Sequence, residues 1–311
     1  MKILLTGAYQ YTDAQILHFE RLGFDKEFIQ YESDKVEHPE KYDAVVCNGL
    51  FLHNNIEAFS NLKYIQLTSA GYDRVPMDYI KAHGIEIHNA RGVYSIPMAE
   101  WAVLKALELY KKSRAFYKNQ SGGVWEKQRG LAELYGKTVT IVGCGSIGTE
   151  TAKRFKAFGV HIIGVDLFDP TAEYYDEFAH VLELKMTLKK TDILVLTLPL
   201  TDETYHLIDT DCFEIMKNNA VLINISRGKV VDETAIAAAL EETKIDGAAL
   251  DVFEEEPLDK SSPLWKMDNV IVTPHNSFVG DGNHARMFEV IINNLKEWLD
   301  VKKNNGDISK E

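Results

Sequence analysis

Short apolar runs alternate along this chain with longer stretches in which apolar residues recur every three or four positions. The runs at residues 2–6, 43–47 and 64–68 predict buried strands, and the stretches between them predict helices. A second, denser series predicts strands at residues 138–142, 160–165, 192–196, 220–224, 247–250 and 270–272. Near-continuous apolar runs are typical of parallel strands that are covered on both faces. The pattern therefore predicts an α/β protein with two doubly wound parallel sheets, Rossmann-like or flavodoxin-like, and a cleft between them.

The longest helical pattern, residues 95–120, separates the two series. Ser95 is a suitable cap and Pro97 fits the first turn of a helix. The last helical pattern, residues 283–300, is expected to pack back on the first unit. We therefore predict a discontinuous first domain, residues 1–96 plus 280–311, and a second domain, residues 97–279.

Composition restricts the possible partners. The net charge of −13 disfavours nucleic acids and anionic membranes, both of which call for a basic surface. No run reaches the roughly 18 apolar residues of a membrane span, and the N-terminus does not have the long apolar core of a signal peptide. Three cysteines without a CxxC pair fit a reducing compartment. We expect a soluble cytoplasmic protein.

A glycine pattern follows the first strand of the second series. Gly143, Gly145 and Gly148 form G-x-G-x-x-G directly after a predicted strand and at the start of a predicted helix. The first glycine permits a tight turn, the second lets the backbone approach a pyrophosphate, and the third lets helix and strand pack closely. This context predicts a dinucleotide site rather than an ordinary glycine-rich turn.

The residues around this loop favour NAD. Backbone N–H groups near Ser146 and Ile147 are expected to face the anion at the start of the helix. Asp166 ends the next strand and can accept hydrogen bonds from the adenosine ribose. No lysine or arginine stands between Asp166 and His180 to bind a 2′-phosphate, which favours NAD over NADP. S-adenosylmethionine is an alternative ligand for such a loop.

Three segments with candidate catalytic residues follow later strands. Arg227 lies in "NISRG", a row of glutamates lies in "DVFEEEP", and His275 follows Pro274 in "TPH". Ligands of open α/β sheets bind at the carboxyl ends of the strands, so all three segments are expected near the nicotinamide end of the dinucleotide. An imidazole exchanges protons near neutral pH, and a carboxylate on its other nitrogen would fix its tautomer.

The order of these motifs resembles that of the NAD-dependent D-2-hydroxyacid dehydrogenase family. The matching segments are "SAGYD" (69–73), "MAEWAV" (98–103), "GCGSIG" (143–148), "LPLTDET" (198–204), "NISRG" (224–228), "ALDVFEEEP" (249–257) and "TPH" (273–275). The resemblance implies hydride transfer between NAD(H) and a small 2-hydroxy or 2-keto acid, and it implies a homodimer. It also implies that residues 1–96 plus 280–311 form the substrate domain and that residues 97–279 form the dinucleotide-binding domain.

The resemblance also implies roles for individual residues. It selects Glu256, directly before the proline, as the partner of the acid/base His275, and it assigns the substrate carboxylate and keto oxygen to Arg227. The backbone of Ala70 and Gly71 is expected to hold the other side of the carboxylate. Leu50 and Phe51 are expected to contact the substrate side chain. Further cofactor contacts are implied for Leu198, Pro199, Thr204, Ile225 and Asp251.

Two other functions remain open from the residues alone. The first is an NADH-binding, redox-sensing module of the corepressor type, with little turnover. The second is a methyl-transfer or adenosylhomocysteine-type enzyme on a similar fold. Neither metal binding nor a particular 2-hydroxy acid is indicated.

Overall fold

The chain folds into two compact α/β units. The structure, a computed structural model, describes residues 1–170 and 173–304. Of the described residues, the first unit contains 1–94 and 280–304, and the second contains those of 95–279. Each unit has its own parallel sheet.

The first unit is built on five parallel strands in the order β2-β1-β3-β4-β5. Its strands are β1 (Lys2–Thr6), β2 (Asp25–Ile29), β3 (Ala44–Cys47), β4 (Tyr64–Leu67) and β5 (Glu86–His88). Its α-helices are α1 (Asp13–Arg21), α2 (Met77–Ala82) and the final helix of the described chain, α9 (Asn283–Asn304). The strand order reverses between β1 and β3.

The second unit is built on seven parallel strands in the order β12-β11-β10-β9-β6-β7-β8. Its strands are β6 (Thr138–Val142), β7 (His161–Asp166), β8 (Glu177–His180), β9 (Ile193–Leu196), β10 (Val221–Asn224), β11 (Gly247–Leu250) and β12 (Val270–Val272). Its α-helices are α3 (Ser95–Tyr110), α4 (Ser113–Ser121), α5 (Ser146–Lys156), α6 (Leu184–Leu188), α7 (Thr210–Ile215) and α8 (Glu233–Glu241). The strand order reverses between β6 and β9, where such sheets bind ligands. The predicted fold class, two doubly wound parallel sheets, is confirmed.

Both faces of the first sheet are covered, as the near-continuous apolar strands require. Ile3 and Leu5 point into one apolar cluster, and Leu4, between them, points into another. Helix α9 contributes to the first of these clusters, where the ring of Trp298 lies 4.7 Å from that of Tyr64. The final helix is therefore part of the first unit.

Strands β2, β5 and β8 were not predicted. Each lies at the edge of its sheet, and each has positions that are half-buried or exposed where the central strands are buried. An edge strand covers less apolar surface and carries polar residues such as those of "DKEFI". The apolar runs that mark central strands are consequently missing from these segments.

The predicted single helix over residues 95–120 is wrong. The chain leaves the helix after Tyr110 and begins a new one at Ser113. Between them, Lys112 has a φ of 50°, in the left-handed region, which interrupts the helical hydrogen bonding. Apolar periodicity continues through the break, so the pattern alone did not show it.

The three cysteines, Cys47, Cys144 and Cys212, are free and buried. Burial raises the pKa of the Cys144 thiol to about 12 and that of Cys212 to about 11. Within the described residues, no helix is both long enough and apolar enough to cross a lipid bilayer.

Candidate active site

The glycine loop after β6 has the shape that a dinucleotide requires. Gly143 has a φ of 96°, and a Cβ added to it would lie 2.6 Å from the backbone nitrogen of Leu198. A Cβ added to Gly148 would lie 2.0 Å from the carbonyl oxygen of Gly143. A Cβ on Gly145 would meet nothing within 4 Å. Gly143 and Gly148 are thus required by packing, whereas Gly145 faces open space that a ligand can enter.

This open space lies at the start of α5. Gly145 is the N-cap, and it provides no side chain to satisfy the first N–H groups of the helix. The first intrahelical bond at this end runs from Thr149 N to the Gly145 carbonyl, at 2.9 Å. The N–H groups of Ser146 and Ile147 precede it, so they belong to the helix start that attracts anions.

Asp166, the last residue of β7, is fixed to the same loop. Its Oδ2 accepts a hydrogen bond from Cys144 N at 2.6 Å, and its Oδ1 accepts one from Leu167 N at 2.7 Å. Each carboxylate oxygen keeps a second lone pair for a ribose hydroxyl. The loop, the helix start and this carboxylate together fit a dinucleotide such as NAD.

The other proposed cofactor residues form the neighbouring loop ends. Leu198 is buried against Gly143. Thr204 Oγ1 donates to the Pro199 carbonyl at 2.8 Å and accepts from Thr201 N at 2.7 Å, which fixes this turn. Ile225 is buried directly after β10. Cofactor contact by these residues remains a prediction.

The segments carrying the three candidate catalytic residues follow three adjacent strands. Arg227 follows β10, Glu256 follows β11 and His275 follows β12. Because the strands are parallel, the three segments begin at the same side of the sheet, where the carboxyl ends of the strands lie. His275 Nδ1 lies 2.8 Å from Glu256 Oε2, and both side chains are partly exposed, at 40% and 37%. The structure therefore brings the histidine and the predicted glutamate together.

Glu256 is held in place from its own loop. Its Oε1 accepts a hydrogen bond from Phe253 N at 3.1 Å, which leaves Oε2 directed at His275. Of the three consecutive glutamates, Glu256 is the one that contacts the histidine. Glu254 instead exchanges hydrogen bonds with Glu233, from Glu233 N to Glu254 Oε1 at 2.9 Å and from Glu254 N to Glu233 Oε2 at 3.1 Å. Burial, together with the nearby charges of Glu254 and Glu255, raises the pKa of the Glu233 carboxyl.

Asp251 has a structural role that the sequence did not indicate. Its buried carboxylate accepts hydrogen bonds from Thr273 Oγ1 at 2.6 Å, Asn276 N at 2.9 Å and Ser277 N at 2.8 Å. Its carbonyl accepts one from His275 N at 2.7 Å. His275 has a φ of 51°, a costly conformation for a residue with a side chain. Asp251 therefore fixes the backbone that presents His275, and its predicted cofactor contact stays untested.

The Arg227 segment packs directly on the Glu256 loop. A Cβ on Gly228 would lie 1.9 Å from the carbonyl carbon and oxygen of Phe253, so only glycine allows this approach. Arg227 Nη1 donates to the Ser226 carbonyl at 2.8 Å, and its own carbonyl accepts from Asn224 Nδ2 at 3.0 Å. The backbone positions of Arg227 and Glu256 are thus coupled.

The predicted substrate residues of the first unit lie in loops after β3 and β4. Ala70 is exposed and Gly71 is half-buried, and the loop is held by Asn89 Nδ2 donating to the Ala70 carbonyl at 2.6 Å. Leu50 has no exposed surface and lies in the core, so a substrate contact is not accessible to its side chain. Phe51 is half-buried, with its ring 5.5 Å from that of Phe59.

The sequence also gave no indication of Glu32, which organises the loop after β3. Its Oε1 accepts from Thr6 Oγ1 and Asn48 N, both at 2.7 Å, and its Oε2 accepts from Gly49 N at 2.6 Å. No local pattern marks such a residue, because its partners come from two other segments of the chain.

Comparison with known proteins agrees with the class of protein that this geometry indicates. The glycine loop, helix start and acidic strand end define a dinucleotide-binding domain. The family model described as D-isomer specific 2-hydroxyacid dehydrogenase, NAD binding domain, matches residues 103–277. The chain belongs to this family of NAD-dependent 2-hydroxyacid dehydrogenases.

Individual relatives extend the similarity over most of the chain. A glyoxylate reductase of Thermofilum pendens is 38% identical over 269 residues, which cover 82% of this chain and 77% of that protein. A D-3-phosphoglycerate dehydrogenase of Methanocaldococcus jannaschii is 38% identical over 247 residues, covering 78% of this chain and 47% of that longer protein. The crystal structure of a D-lactate dehydrogenase with NAD+ from Lactobacillus jensenii is 27% identical, with a TM-score of 0.75 over 95% of this chain and 96% of that one.

The glycine loop gives a paired prediction. Gly145→Ala should keep its thermal unfolding temperature, because the methyl group meets nothing within 4 Å, but its NADH affinity should fall at least about 10-fold, since the methyl stands where the pyrophosphate approaches. Gly148→Ala should instead be destabilised by about 1–3 kcal/mol or more through overpacking. NADH titration and thermal unfolding of both variants check this. Parent-like NADH affinity in Gly145→Ala would contradict the assigned phosphate position.

Proposed function

We propose that this protein interconverts a 2-keto acid and the corresponding D-2-hydroxy acid, with NAD(H) as the redox partner. The observation that carries the proposal is the 2.8 Å contact between His275 Nδ1 and Glu256 Oε2, at the carboxyl edge of the NAD-binding sheet. A histidine oriented by a carboxylate is the group that proton transfer to or from a substrate oxygen needs.

His275 is proposed as the acid and base. An ionised Glu256 only accepts hydrogen bonds, so Nδ1 of the ring carries the proton that faces it. This leaves Nε2 to exchange a proton with the substrate oxygen. In the reducing direction His275 donates this proton to the keto oxygen, and in the oxidising direction it removes the hydroxyl proton. Bound NADH supplies the hydride for the carbonyl carbon.

Arg227 is proposed to bind the substrate carboxylate and keto oxygen. A guanidinium offers two parallel donors to a carboxylate and stabilises negative charge that develops on the neighbouring oxygen. The backbone N–H groups of Ala70 and Gly71 are proposed to bind the same carboxylate. The support for these two assignments is the family's motif pattern and the placement of Arg227 at the carboxyl end of β10.

The substrate class follows from what the relatives share. Glyoxylate reductases, D-3-phosphoglycerate dehydrogenases and D-lactate dehydrogenases are named for acids with a keto or hydroxyl group beside the carboxylate. They differ in the group that the second carbon carries. In this chain the loop at residues 47–55 has no lysine or arginine, and Leu52 is exposed beside half-buried Phe51. We therefore favour an uncharged substrate side chain.

NAD is proposed to be preferred over NADP. Asp166 places a carboxylate at the end of β7, held by two backbone N–H groups. The carboxylate of Asp166 would repel the 2′-phosphate of NADP, and the sequence between Asp166 and His180 has no lysine or arginine to offset this repulsion.

A homodimer is proposed from the surface around α4. Trp125 is fully exposed, and Phe116, Tyr117 and Val124 are also exposed on the same short stretch. A contiguous group of exposed apolar side chains is typical of a surface that a partner covers. The occupant that we propose is a second copy of this chain.

A panel of 2-keto acids tests the reaction. We expect NADH oxidation with pyruvate, glyoxylate or a larger uncharged keto acid, and at least about 10-fold lower catalytic efficiency with NADPH. Absorbance at the nicotinamide band measures both. NADH binding without turnover of any keto acid would instead support the redox-sensing module. Tighter binding of S-adenosylmethionine than of NADH would support the methyl-transfer alternative.

His275→Ala should lose turnover by at least about 100-fold, the usual contribution of a general acid or base, and keep its NADH affinity. Keto-acid reduction and NADH titration on the same sample measure the two effects. The control is His161→Ala. His161 is the first residue of β7 and lies at the amino end of that strand, whereas His275 follows the carboxyl end of β12. Unchanged turnover in His275→Ala would remove this residue from the mechanism.

The proposed dimer should sediment at about twice the chain mass of 35.2 kDa. Phe116→Ser with Trp125→Ser should shift the equilibrium toward the monomer, because both remove exposed apolar surface. Leu182→Ser is the matched control, since Leu182 is 88% exposed elsewhere. A monomeric parent protein would overturn the proposal.

A further inference from the structure

We infer that His206 is a positioning residue for the proposed acid–base pair: it joins the segment that carries Arg227 to the loop that carries Glu256. This inference rests on the proposed function. His206 lies after β9, in the segment that precedes α7. Its neighbours give it a more specific role.

The backbone of His206 is bound to the Arg227 segment. His206 N donates to the Lys229 carbonyl at 2.8 Å, and two residues on, Ile208 N donates to the Val230 carbonyl at 3.1 Å. Asp232 N returns a hydrogen bond to the Ile208 carbonyl at 3.0 Å. The two segments therefore run side by side, and the position of His206 follows that of the turn directly after Arg227.

The ring of His206 reaches the other segment. Its Nε2 lies 2.9 Å from Glu254 Oε1, at ion-pair distance although without hydrogen-bond geometry. Its Nδ1 lies 3.8 Å from Asp232 Oδ2, and the ring of Tyr205 stacks on it at 4.0 Å. Glu254 is two residues before Glu256. The side chain of His206 thus contacts the loop of the proposed carboxylate, while its backbone is bonded to Lys229, two residues after the proposed arginine.

The acidic surroundings explain why this link matters. Acidic residues surround this link: Asp232 and Glu254 face the ring of His206, and burial, followed by the charges of Glu254 and Glu255, raises the pKa of the Glu233 carboxyl. Glu254 Oε1 already accepts from Glu233 N, and His206 adds a second group on the same oxygen. Without the ring, we expect the 253–256 loop to shift, because like charges remain on it and a stabilising partner is lost. A displacement of about 1 Å between reacting groups can lower the reaction rate by up to roughly 100-fold.

A bound metal ion is a less suitable explanation for this cluster. Nitrogen and oxygen atoms of His206, Asp232 and Glu254 lie within 4.8 Å of one another. However, Nδ1 faces Asp232 and Nε2 faces Glu254. An imidazole binds an ion through one nitrogen, whereas here each ring nitrogen faces a different carboxylate, which suits two charge contacts better than one metal site.

The chain contains a matched control for this arrangement. His161 also lies between two carboxylates, with Nδ1 3.8 Å from Asp176 Oδ2 and Nε2 2.8 Å from Glu177 Oε1. It is the first residue of β7, so it lies at the amino edge of the same sheet. Its substitution removes a comparable charge contact without touching the loops of Arg227, Glu256 or His275.

The experiment compares three variants with the parent protein. His206→Asn keeps a residue that tolerates the observed φ of 49° but is too short to reach Glu254. His206→Gln keeps an N–H group within reach of Glu254. We expect His206→Asn to lower kcat about 10-fold with NADH affinity within about 2-fold of the parent, His206→Gln to recover most of the rate, and His161→Asn to match the parent. Equal rates for the two His206 variants, or an equal loss in His161→Asn, would overturn the inference.

A second measurement does not depend on turnover. Ring ¹⁵N NMR of His275 reports whether Nδ1 carries the hydrogen bond to Glu256. The bond should weaken in His206→Asn and persist in His161→Asn, whereas an unchanged His275 signal in His206→Asn would overturn the inference. If the parent protein reduces no keto acid, the proposed function fails, and this spectrum still decides the positioning role. Loss of turnover on chelation that added Zn²⁺ or Mn²⁺ restores would overturn the inference in favour of a metal at this cluster.

Discussion

The buried carboxylate of Asp251 is the constraint on which the candidate site depends. It accepts three hydrogen bonds from the segment at residues 273–277, and the carbonyl of the same residue accepts one from His275 N. These bonds hold His275 in a left-handed conformation that costs about 1–3 kcal/mol and would otherwise relax. The imidazole can then meet Glu256 from the neighbouring loop. The proposed proton transfer needs a fixed ring, and the residue that fixes the backbone of His275 is Asp251.

Carboxylates organise several loops in the described part of the chain, and four examples show the pattern. Asp166 fixes the glycine loop, Asp251 fixes the histidine segment, Glu254 joins the start of α8, and Glu32 holds the loop after β3. In each case an acidic side chain accepts backbone N–H groups that a loop would otherwise leave without a partner. Bonds to a charged acceptor are stronger than neutral ones, which suits loops that must keep a defined shape. Part of the acidic composition therefore serves internal structure rather than surface charge.

The sequence was most informative where local chemistry determines local structure. The glycine loop could be predicted because each glycine has its own steric reason, and central strands because both of their faces are apolar. Edge strands such as β8 lack that pattern, and the break at Lys112 depends on a single backbone angle. Leu50 is a similar case at the site. The sequence does not distinguish an apolar loop residue that contacts a substrate from one that packs in the core, as Leu50 does. The roles of Glu32, Asp251 and His206 depend on segments distant in sequence, which no local pattern reveals.

The burial of Cys144 inside the glycine loop has a consequence for redox chemistry. Oxidants and alkylating reagents attack the thiolate, and burial raises the pKa of the Cys144 thiol to about 12, which favours the unreactive thiol form at neutral pH. The thiol is also shielded from solvent, as are Cys47 and Cys212. A cysteine beside a cofactor site can act as an oxidative switch, but the sulfur of Cys144 is buried and its pKa is raised, which disfavours reaction with peroxide and disulfides. Cofactor binding is therefore insulated from thiol oxidation.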